Sequence, residues 1–589
     1  MTQPASTQNN PDRYRGSLLG AALGDALGWP QEQRSGIIGE ARSGHAEPSL
    51  EPRPWNRWGG SRHRRYRDPV AAGEYSDDTQ LLLATARACL RGPRWWEHLT
   101  AVELPTWTVY QRGGGRAVLR AAASWRSGTA PWLGAPGNRN AYFRAGANGA
   151  AMRAAPHALL LGPGTEEELV ARVVSDAITT HGHPRALVGA VVHALAVGRM
   201  LHRAEVMEYG GLVSWLLTTP AWPDPVPVRS ALPREWVRAF EENSGIGFDT
   251  AWSATAEEMR GLLGTCERSL ERSALADDEK TLHELGCFDP SVNGAGTVTA
   301  AAACYLAERF AVKPGSGLVK AAFLNNADTD TLASMTGGIL GALQGTGWLS
   351  GPADTLQDRA YLERIAERLL TASAGADTDA ETRPPGTVVD VDRWSGELDH
   401  GEPAAFPDGR AVSRARTTVL DGGREGAATV RVRLLLGDGQ QVVVDRPASP
   451  AAPDRTRHTG GRDPEAGPSG LAIRVAIHVR DVERTRDFYA RVLGVRVARS
   501  GQVLYLNRWL AFLHHPGLSG SGTAQVTVSC RDPEGVRERL AKEGVELLPP
   551  GPDDTAGSLR LLDPDGNQVL VWPVSGPLAD SAAGRGPHG

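Results

Sequence analysis

Lysine is nearly absent from this 589-residue chain, and arginine supplies almost all of its positive charge. The only lysines are Lys280, Lys313, Lys320 and Lys542. The formal net charge of −5 gives the protein no general attraction to nucleic acid or to an anionic membrane. We therefore expect neither as a partner.

Cysteine pairs and long apolar runs are also lacking. The five cysteines are odd in number and lie in no CxxC pair, which argues against a disulfide framework and against a zinc site. No apolar run is as long as a membrane span. Met1–Asp12 lacks the basic-then-apolar order of a signal peptide. We expect a cytoplasmic protein.

Two aspartate clusters, roughly 250 residues apart, each precede a predicted helix. Gly73–Thr79 (GEYSDDT) runs into the apolar stretch Gln80–Leu90, and Asn326–Thr331 (NADTDT) runs into Leu332–Leu343. Oxygen-only ligands of this kind select magnesium, manganese or calcium over zinc. The positive end of each helix would help to hold the clustered negative charge. This pattern predicts a metal-dependent hydrolase.

The chain divides into a long helical part and shorter pieces after it. From Tyr14 to Leu370 the apolar spacing is mostly helical, whereas Ala428–Leu436 and Gln440–Asp445 alternate as a hairpin would. The predicted order is a disordered N-terminus (1–12), a helical domain (13–372), a linker (373–385), a small β-rich segment (386–447), a disordered linker (448–470), an α+β domain (471–574) and a disordered tail (575–589).

Three further segments stand out in the helical part: Gly24–Gly28 (GDALG) with the later Glu32, Asn148–Arg153 (NGAAMR), and Thr180-His181. Together with the two acid clusters, in this order over residues 13–345, they resemble the ADP-ribosylglycohydrolase family. The resemblance implies an all-α fold and a binuclear centre of two Mg²⁺ or Mn²⁺ ions. It also implies removal of ADP-ribose from a modified protein or a small-molecule conjugate.

The resemblance assigns roles residue by residue. The implied metal ligands are Ser76, Asp77, Asp78, Asp328, Asp330 and Thr331. The implied substrate-binding residues are Asn148, Gly149, His181 and Asp25. For Asp25 an alternative stays open, namely that it satisfies buried backbone groups. Glu32 falls on the mobile acidic loop of the family. Cleavage at ribose C1 needs proton transfer, and Asp77, Asp78 and Glu32 are the candidate catalytic carboxylates, with the acid and base roles unassigned.

One departure concerns the loop before the second cluster, where the family usually has two glycines and this chain has Asn326-Ala327. Glycine adopts positive φ freely, and asparagine tolerates it. If this change spoils the metal loop, the protein is an inactive ADP-ribose-binding protein, which is the alternative within the same fold.

The C-terminal segment resembles the vicinal-oxygen-chelate (glyoxalase/bleomycin-resistance) family through Val475–Val479, Phe488-Tyr489 and Asp563–Asn567. This resemblance implies two βαβββ modules. At the positions of the family's metal ligands the chain has Arg474, Gln525 and Leu570, and arginine and leucine cannot hold a cation. We therefore predict no metal there. A third hypothesis makes this domain the functional centre, as a small-molecule-binding resistance module.

Overall fold

The computed structural model of the chain describes residues 10–32, 47–61, 64–203, 208–375, 390–400, 405–420, 429–447, 475–479, 482–489, 498–500, 503–505, 510–514, 525–530, 533–549, 558–563 and 568–573. The chain folds into two compact units, residues 1–458 and 459–589.

The first unit is largely helical, as the sequence predicts. Its helices are α1 (Pro11–Gly28), α2 (Asp77–Cys89), α3 (Trp95–His98), α4 (Leu104–Tyr110), α5 (Arg116–Arg126), α6 (Pro136–Phe143), α7 (Ala155–Leu160), α8 (Glu166–Ala177), α9 (Pro184–Leu201), α10 (Gly211–Thr218), α11 (Pro225–Ala231), α12 (Arg234–Ser244), α13 (Phe248–Glu271), α14 (Asp278–Glu284), α15 (Gly296–Arg309), α16 (Pro314–Ala322), α17 (Thr329–Gln344), α18 (Arg359–Ser373) and α19 (Val391–His400). Leu99–Glu103 forms a π-helical turn before α4.

Helix α9 lies at the centre of the large apolar core and is apolar nearly all round, as a buried helix should be. By length and composition alone it could cross a membrane, but 83% of it is buried inside this unit. A core helix passes the same test, so its hydrophobicity is explained by packing.

Helices α1 and α17 pack backbone against backbone. Helix α1 carries a glycine at every fourth position, which places these glycines on one face. An added Cβ at Gly20 would lie 2.3 Å from the carbonyl oxygen of Gly337, and one at Gly28 would lie 2.2 Å from that of Thr329. Only glycine permits this approach. The end of α1 is thereby fixed beside the start of α17.

The helical unit also holds a β-hairpin that the sequence reading missed, formed by β1 (Trp55–Ser61) and β2 (Arg64–Val70). The basic run Arg62–Arg67 (RHRRYR) falls largely on β2. Tyr66, Asp68 and Val70 are buried, and the residues between them are exposed. This is the period-two pattern of a half-buried strand. The exposed arginines and the buried aspartate concealed it.

Within the predicted β-rich segment, β3 (Val412–Leu420), β4 (Thr429–Leu436) and β5 (Gln441–Pro447) form an antiparallel sheet in the order β3-β4-β5. The predicted hairpin corresponds to β4 and β5, and Gly439 in its turn has φ +90°. Val432, Leu434 and Val442 share an apolar cluster with Trp107 and Tyr110 of α4. The sheet therefore belongs to the core of the first unit.

The second unit is an α+β domain. Its first module contains β6 (Val475–Val479), α20 (Val482–Asp487), β7 (Ala498–Ser500), β8 (Val503–Tyr505) and β9 (Leu510–His514). Its second module contains β10 (Gln525–Cys530), α21 (Pro533–Lys542), β11 (Leu559–Leu562) and β12 (Gln568–Pro573). The strand orders are β6-β9-β8-β7 and β10-β12-β11, with β6/β9 and β10/β12 parallel.

Candidate active site

The start of α2 is held by a buried carboxylate from α1. Both oxygens of Asp25 accept from the backbone amide of Ser76 at 3.1 Å, and Oδ2 also accepts from the amide and hydroxyl of Thr79 at 3.0 and 2.6 Å. Asp25 is fully buried. These bonds support the alternative left open for Asp25, in which its carboxylate satisfies buried backbone groups at the start of α2.

The second acid cluster begins in a turn with left-handed backbone. Asn326 has φ +65°, a conformation that asparagine adopts more readily than most residues. Its carbonyl oxygen accepts a hydrogen bond from Nδ2 of Asn293 at 3.2 Å. The replacement of glycine at this position is therefore accommodated, and the turn leads directly into Asp328 at the start of α17.

Four carboxylates from three segments meet where these helices begin. Glu32, which follows the end of α1, lies with Asp328 and Asp330 so that one oxygen of each is within 4.8 Å of the others. Asp78 from α2 lies close enough for its pKa to be affected by the charge of Asp328 and by the side chain of Thr331. The two clusters that the sequence separates by about 250 residues thus form one group.

The electrostatics of this group are those of crowded negative charge. Burial, and then the charges of Asp25, Asp77 and Asp328, raise the pKa of Asp78 well above its usual range. Burial, and then Glu32, Asp328 and Asp78, raise the pKa of Asp330 in the same way. The carboxylates would be stabilised together by a positive charge placed among them.

A donor set of this kind fits a hard cation. Its oxygens come from carboxylates and a hydroxyl, and Oδ1 of Asp78 is buried without a hydrogen-bond partner in the described part of the chain. A buried carboxylate oxygen without a partner is costly unless something else supplies the charge. Magnesium, manganese and calcium prefer such ligands.

Asp77, next to Asp78 at the start of α2, packs against a glycine loop. An added Cβ at Gly113 would lie 2.9 Å from Oδ1 of Asp77 and 3.3 Å from Nε1 of Trp29. Gly113 also has φ +98°, in the region that favours glycine. The loop after α4 is therefore close enough to restrict the position of the Asp77 carboxylate.

Asn148 links the second cluster to the predicted substrate-binding loop. Its Nδ2 donates to Oδ2 of Asp328 at 3.2 Å and to Oγ1 of Thr299 at 3.1 Å. Gly149 lies against His181, because an added Cβ there would be 3.0 Å from Cε1 of the imidazole. The three predicted residues Asn148, Gly149 and His181 are therefore neighbours, with Asn148 next to the acid group.

His181 is buried and neutral. Its Nδ1 lies 2.8 Å from Oγ1 of Thr180, and its Nε2 has no hydrogen-bond partner among the described residues. Burial, with a smaller effect of the Arg153 charge, lowers the pKa of His181 to about 3. The imidazole is thus suited to donating or accepting a hydrogen bond, and not to neutralising a phosphate.

We expect the imidazole of His181 to remain neutral from pH 8 down to about pH 4. In the unfolded chain it should titrate at about 6.5. Because the folded pKa is the lower one, this histidine favours the folded state above pH 6.5, and that contribution declines as pH falls below it. Histidine-selective ¹⁵N NMR, assigned with His181→Asn, measures this. A midpoint near 6 in the folded protein would contradict it.

Comparison with known proteins agrees with this geometry. Residues 6–379, more than half of the chain, match the model of the family described as ADP-ribosylglycohydrolase. The chain belongs to the ADP-ribosylglycohydrolase family. This is a family of glycosyl hydrolases that act on ADP-ribose. Residues 472–571 match the Glyoxalase/Bleomycin resistance protein/Dioxygenase superfamily, so a glyoxalase-type domain follows the ADP-ribosylglycohydrolase domain. No curated protein matches the chain.

Solved structures resemble each part separately. An ADP-ribosylglycohydrolase-related protein complex is 23% identical, with a TM-score of 0.39, and the match covers 62% of this chain and 99% of that one. A bleomycin-binding protein complexed with bleomycin is 21% identical over 18% of this chain and 100% of its own, with a TM-score of 0.15. A lactoylglutathione lyase from Agrobacterium tumefaciens is 18% identical, and the match covers 18% of this chain and 93% of that one, also with a TM-score of 0.15.

The sequence reading missed several residues around the ADP-ribosylglycohydrolase site. Gly113 stands in a run of three glycines, which the sequence shows directly. The sequence does not show that this run packs against Asp77. Thr299 lies in the first turn of α15, and only the fold brings its hydroxyl to Asn148. Nothing local marks Trp29 or Arg112, although the Arg112 guanidinium carbon lies 5.3 Å from the centre of the Trp29 ring.

The predicted absence of a metal from the glyoxalase-type domain stays a prediction. Arg474 lies outside the described residues. Gln525 is described in its backbone only, at the start of β10. Leu570 is buried in β12.

Proposed function

We propose that this protein hydrolyses the glycosidic bond at ribose C1 of an ADP-ribose conjugate, with two divalent cations, magnesium or manganese, held by the group of carboxylates at the starts of α2 and α17. The observation that carries this proposal is the convergence of Glu32, Asp78, Asp328 and Asp330, where burial and then mutual repulsion raise the pKa of Asp78 and Asp330. The substrate would be an ADP-ribosylated protein or a small-molecule conjugate.

The residues that would hold the cations are Ser76, Asp77, Asp78, Asp328, Asp330 and Thr331. Bound there, the cations would supply positive charge that orients the ribose hydroxyls and polarises the reacting oxygen. Asn148 keeps Asp328 in place through its 3.2 Å hydrogen bond. Asp25 keeps the start of α2 in place through the amides of Ser76 and Thr79.

The reaction needs one group to protonate the leaving atom and one to take a proton from water, because the transition state resembles an oxocarbenium ion. Asp77, Asp78 and Glu32 are the carboxylates near the site that can exchange protons.

The positive φ of Asn326 favours this activity over the inactive ADP-ribose-binding alternative, since the departure from glycine leaves the turn intact. The glyoxalase-type domain is proposed to contribute no catalytic metal.

The test is release of free ADP-ribose from ADP-ribosylated arginine protein, with Mg²⁺ or Mn²⁺ and with chelator. We expect release in the presence of metal and a loss of at least about 100-fold with chelator, since a bound ion supplies several kcal/mol of transition-state stabilisation. Glu257 is an exposed carboxylate of α13 outside the site. Glu257→Gln should therefore release ADP-ribose as wild type does, and it serves as the control for substitutions of the site carboxylates. Tight ADP-ribose binding without release from any linkage would support the inactive binding protein instead.

A further inference from the structure

The sheet β3–β5 lies beyond the residues that match the ADP-ribosylglycohydrolase family, yet it contacts the turn that leads into the first acid cluster. The family match ends at residue 379, and the sheet spans 412–447. The turn is Gly73–Ser76, immediately before Asp77 and Asp78.

The first contact is made through Glu74. Its Oε1 accepts from Nη1 of Arg433 in β4 at 2.6 Å, and its Oε2 accepts from Nη1 of Arg112 at 2.6 Å. Glu74 is buried, so each of its oxygens is fixed by a different arginine in a region that water screens poorly. One of these two arginines belongs to the sheet.

The second contact is made through Tyr75. Its hydroxyl donates to Oδ2 of Asp358 at 2.6 Å, and Oδ1 of Asp358 accepts from the backbone amide of Gln441 in β5 at 2.8 Å. Asp358 is buried at the start of α18. The sheet thus reaches two consecutive residues of the turn from two different strands.

The sheet is itself anchored to the hairpin beside the site. Arg431 of β4 pairs with Asp445 of β5 at 2.6 Å and with Asp68 of β2 at 2.7 Å. Arg112 also donates to Asp68, at 2.9 Å. The hydroxyl of Tyr66 donates to Asp445 at 2.5 Å. These pairs join the sheet, the hairpin and the loop after α4 into one buried network that surrounds Glu74.

We propose that the sheet β3–β5 is a positioning element of the active site, in which Arg433 and the amide of Gln441 hold Glu74 and Tyr75 and thereby fix where Ser76, Asp77 and Asp78 are presented. This inference rests on the proposed function for its catalytic meaning. Residues that orient metal ligands from behind influence metal affinity without touching the metal. Arg433 and Gln441 are accordingly positioning residues.

The test uses the full chain with Arg433→Met, which keeps the length of the side chain, and Arg433→Lys, which keeps its charge. Arg416→Met is the matched control, because Arg416 of β3 is the register partner of Arg433 and is exposed. Three quantities are measured: amide hydrogen exchange of peptides covering 73–79 in metal-free protein, Mn²⁺ affinity by calorimetry, and the Mn²⁺ dependence of ADP-ribose release.

For Arg433→Met we expect faster exchange confined to the turn and about tenfold weaker Mn²⁺ binding, the lower range for loss of an outer-shell partner. Saturating Mn²⁺ should restore most of the rate of ADP-ribose release, with KM for the substrate unchanged. Arg433→Lys should recover part of the affinity, and Arg416→Met should match wild type in all three measurements.

Unchanged exchange at 73–79 together with unchanged Mn²⁺ affinity would overturn the proposal, even if Arg433→Met melted at a lower temperature, because the sheet would then only stabilise the fold. Failure of the proposed function has a different signature, since wild type would release no ADP-ribose. The exchange measurement needs neither metal nor substrate and still decides whether the sheet fixes the turn.

Discussion

Asp330→Asn is expected to lose metal-dependent ADP-ribose release and, without metal, to be more stable than wild type. The substitution keeps the shape of the side chain and removes one of four crowded charges. Because burial, and then the charges of Glu32, Asp328 and Asp78, raise the pKa of Asp330, its ionised form costs stability at neutral pH. Loss of a residue that only orients a metal ligand lowers metal affinity or activity by up to about 100-fold. Removing a direct ligand should lower activity by at least this much.

Thermal unfolding with and without Mn²⁺ measures the stability half of this prediction. Mn²⁺ should raise the melting temperature of wild type, since it binds only the folded state, and should raise that of Asp330→Asn much less. The matched control is Asp176→Asn. Burial alone would raise the pKa of Asp176, but Arg153 and His157 lower it below its usual value. The charge of Asp176 therefore favours the folded state, and its removal should destabilise the protein. A metal-free Asp330→Asn that melts below wild type would contradict the repulsion argument.

Gly337→Ala is expected to destabilise the first unit by about 3 kcal/mol or more, the upper range for overpacking a tight core. The added Cβ would lie 2.1 Å from the carbonyl oxygen of Gly20 and 2.7 Å from its carbon. Both are backbone atoms, so no side chain can rotate away and the helices must separate. Separation would also move Glu32 relative to Asp330.

Gly338→Ala is the matched control one residue along the same helix. Its Cβ would meet nothing closer than Cβ of Ala21 at 3.6 Å, an ordinary van der Waals contact. Replacing a helical glycine by alanine there should raise stability by about 0.5–1 kcal/mol. Urea unfolding followed by circular dichroism compares the two variants. Equal effects would show that the close approach of α1 and α17 does not set the cost.

The sequence was informative where chemistry is concentrated in short segments. Each acid cluster could be recognised from the sequence because several carboxylates before an apolar helix have few structural uses. The family resemblance then placed both in one site, and the apolar spacing predicted the buried helix α9. Asp25 and Glu32 are both buried acids near the end of α1, and the structure places them differently. Asp25 accepts hydrogen bonds from the start of α2, whereas Glu32 lies beside Asp328 and Asp330.

Long-range pairing explains what the sequence did not reveal. Arg433 and Glu74 are 359 residues apart, and neither has a local signature, because an arginine in a strand and a glutamate in a turn are usually exposed. The hairpin β1–β2 escaped notice for a related reason. Its buried face includes Asp68, whose three arginine partners come from β1, the loop after α4 and the distant strand β4.

The glycine face of α1 has a consequence for the growing chain on the ribosome. Thr329, whose hydroxyl binds the carbonyl oxygen of Gly28, is synthesised 301 residues later. At ~5–20 residues per second, α1 waits about 15–60 s for the helix that covers it. A face of leucines would expose an adhesive surface throughout that interval. A face of glycines exposes little apolar side chain, so the same residues that allow the tightest contact in the finished protein leave the nascent one with less to aggregate through.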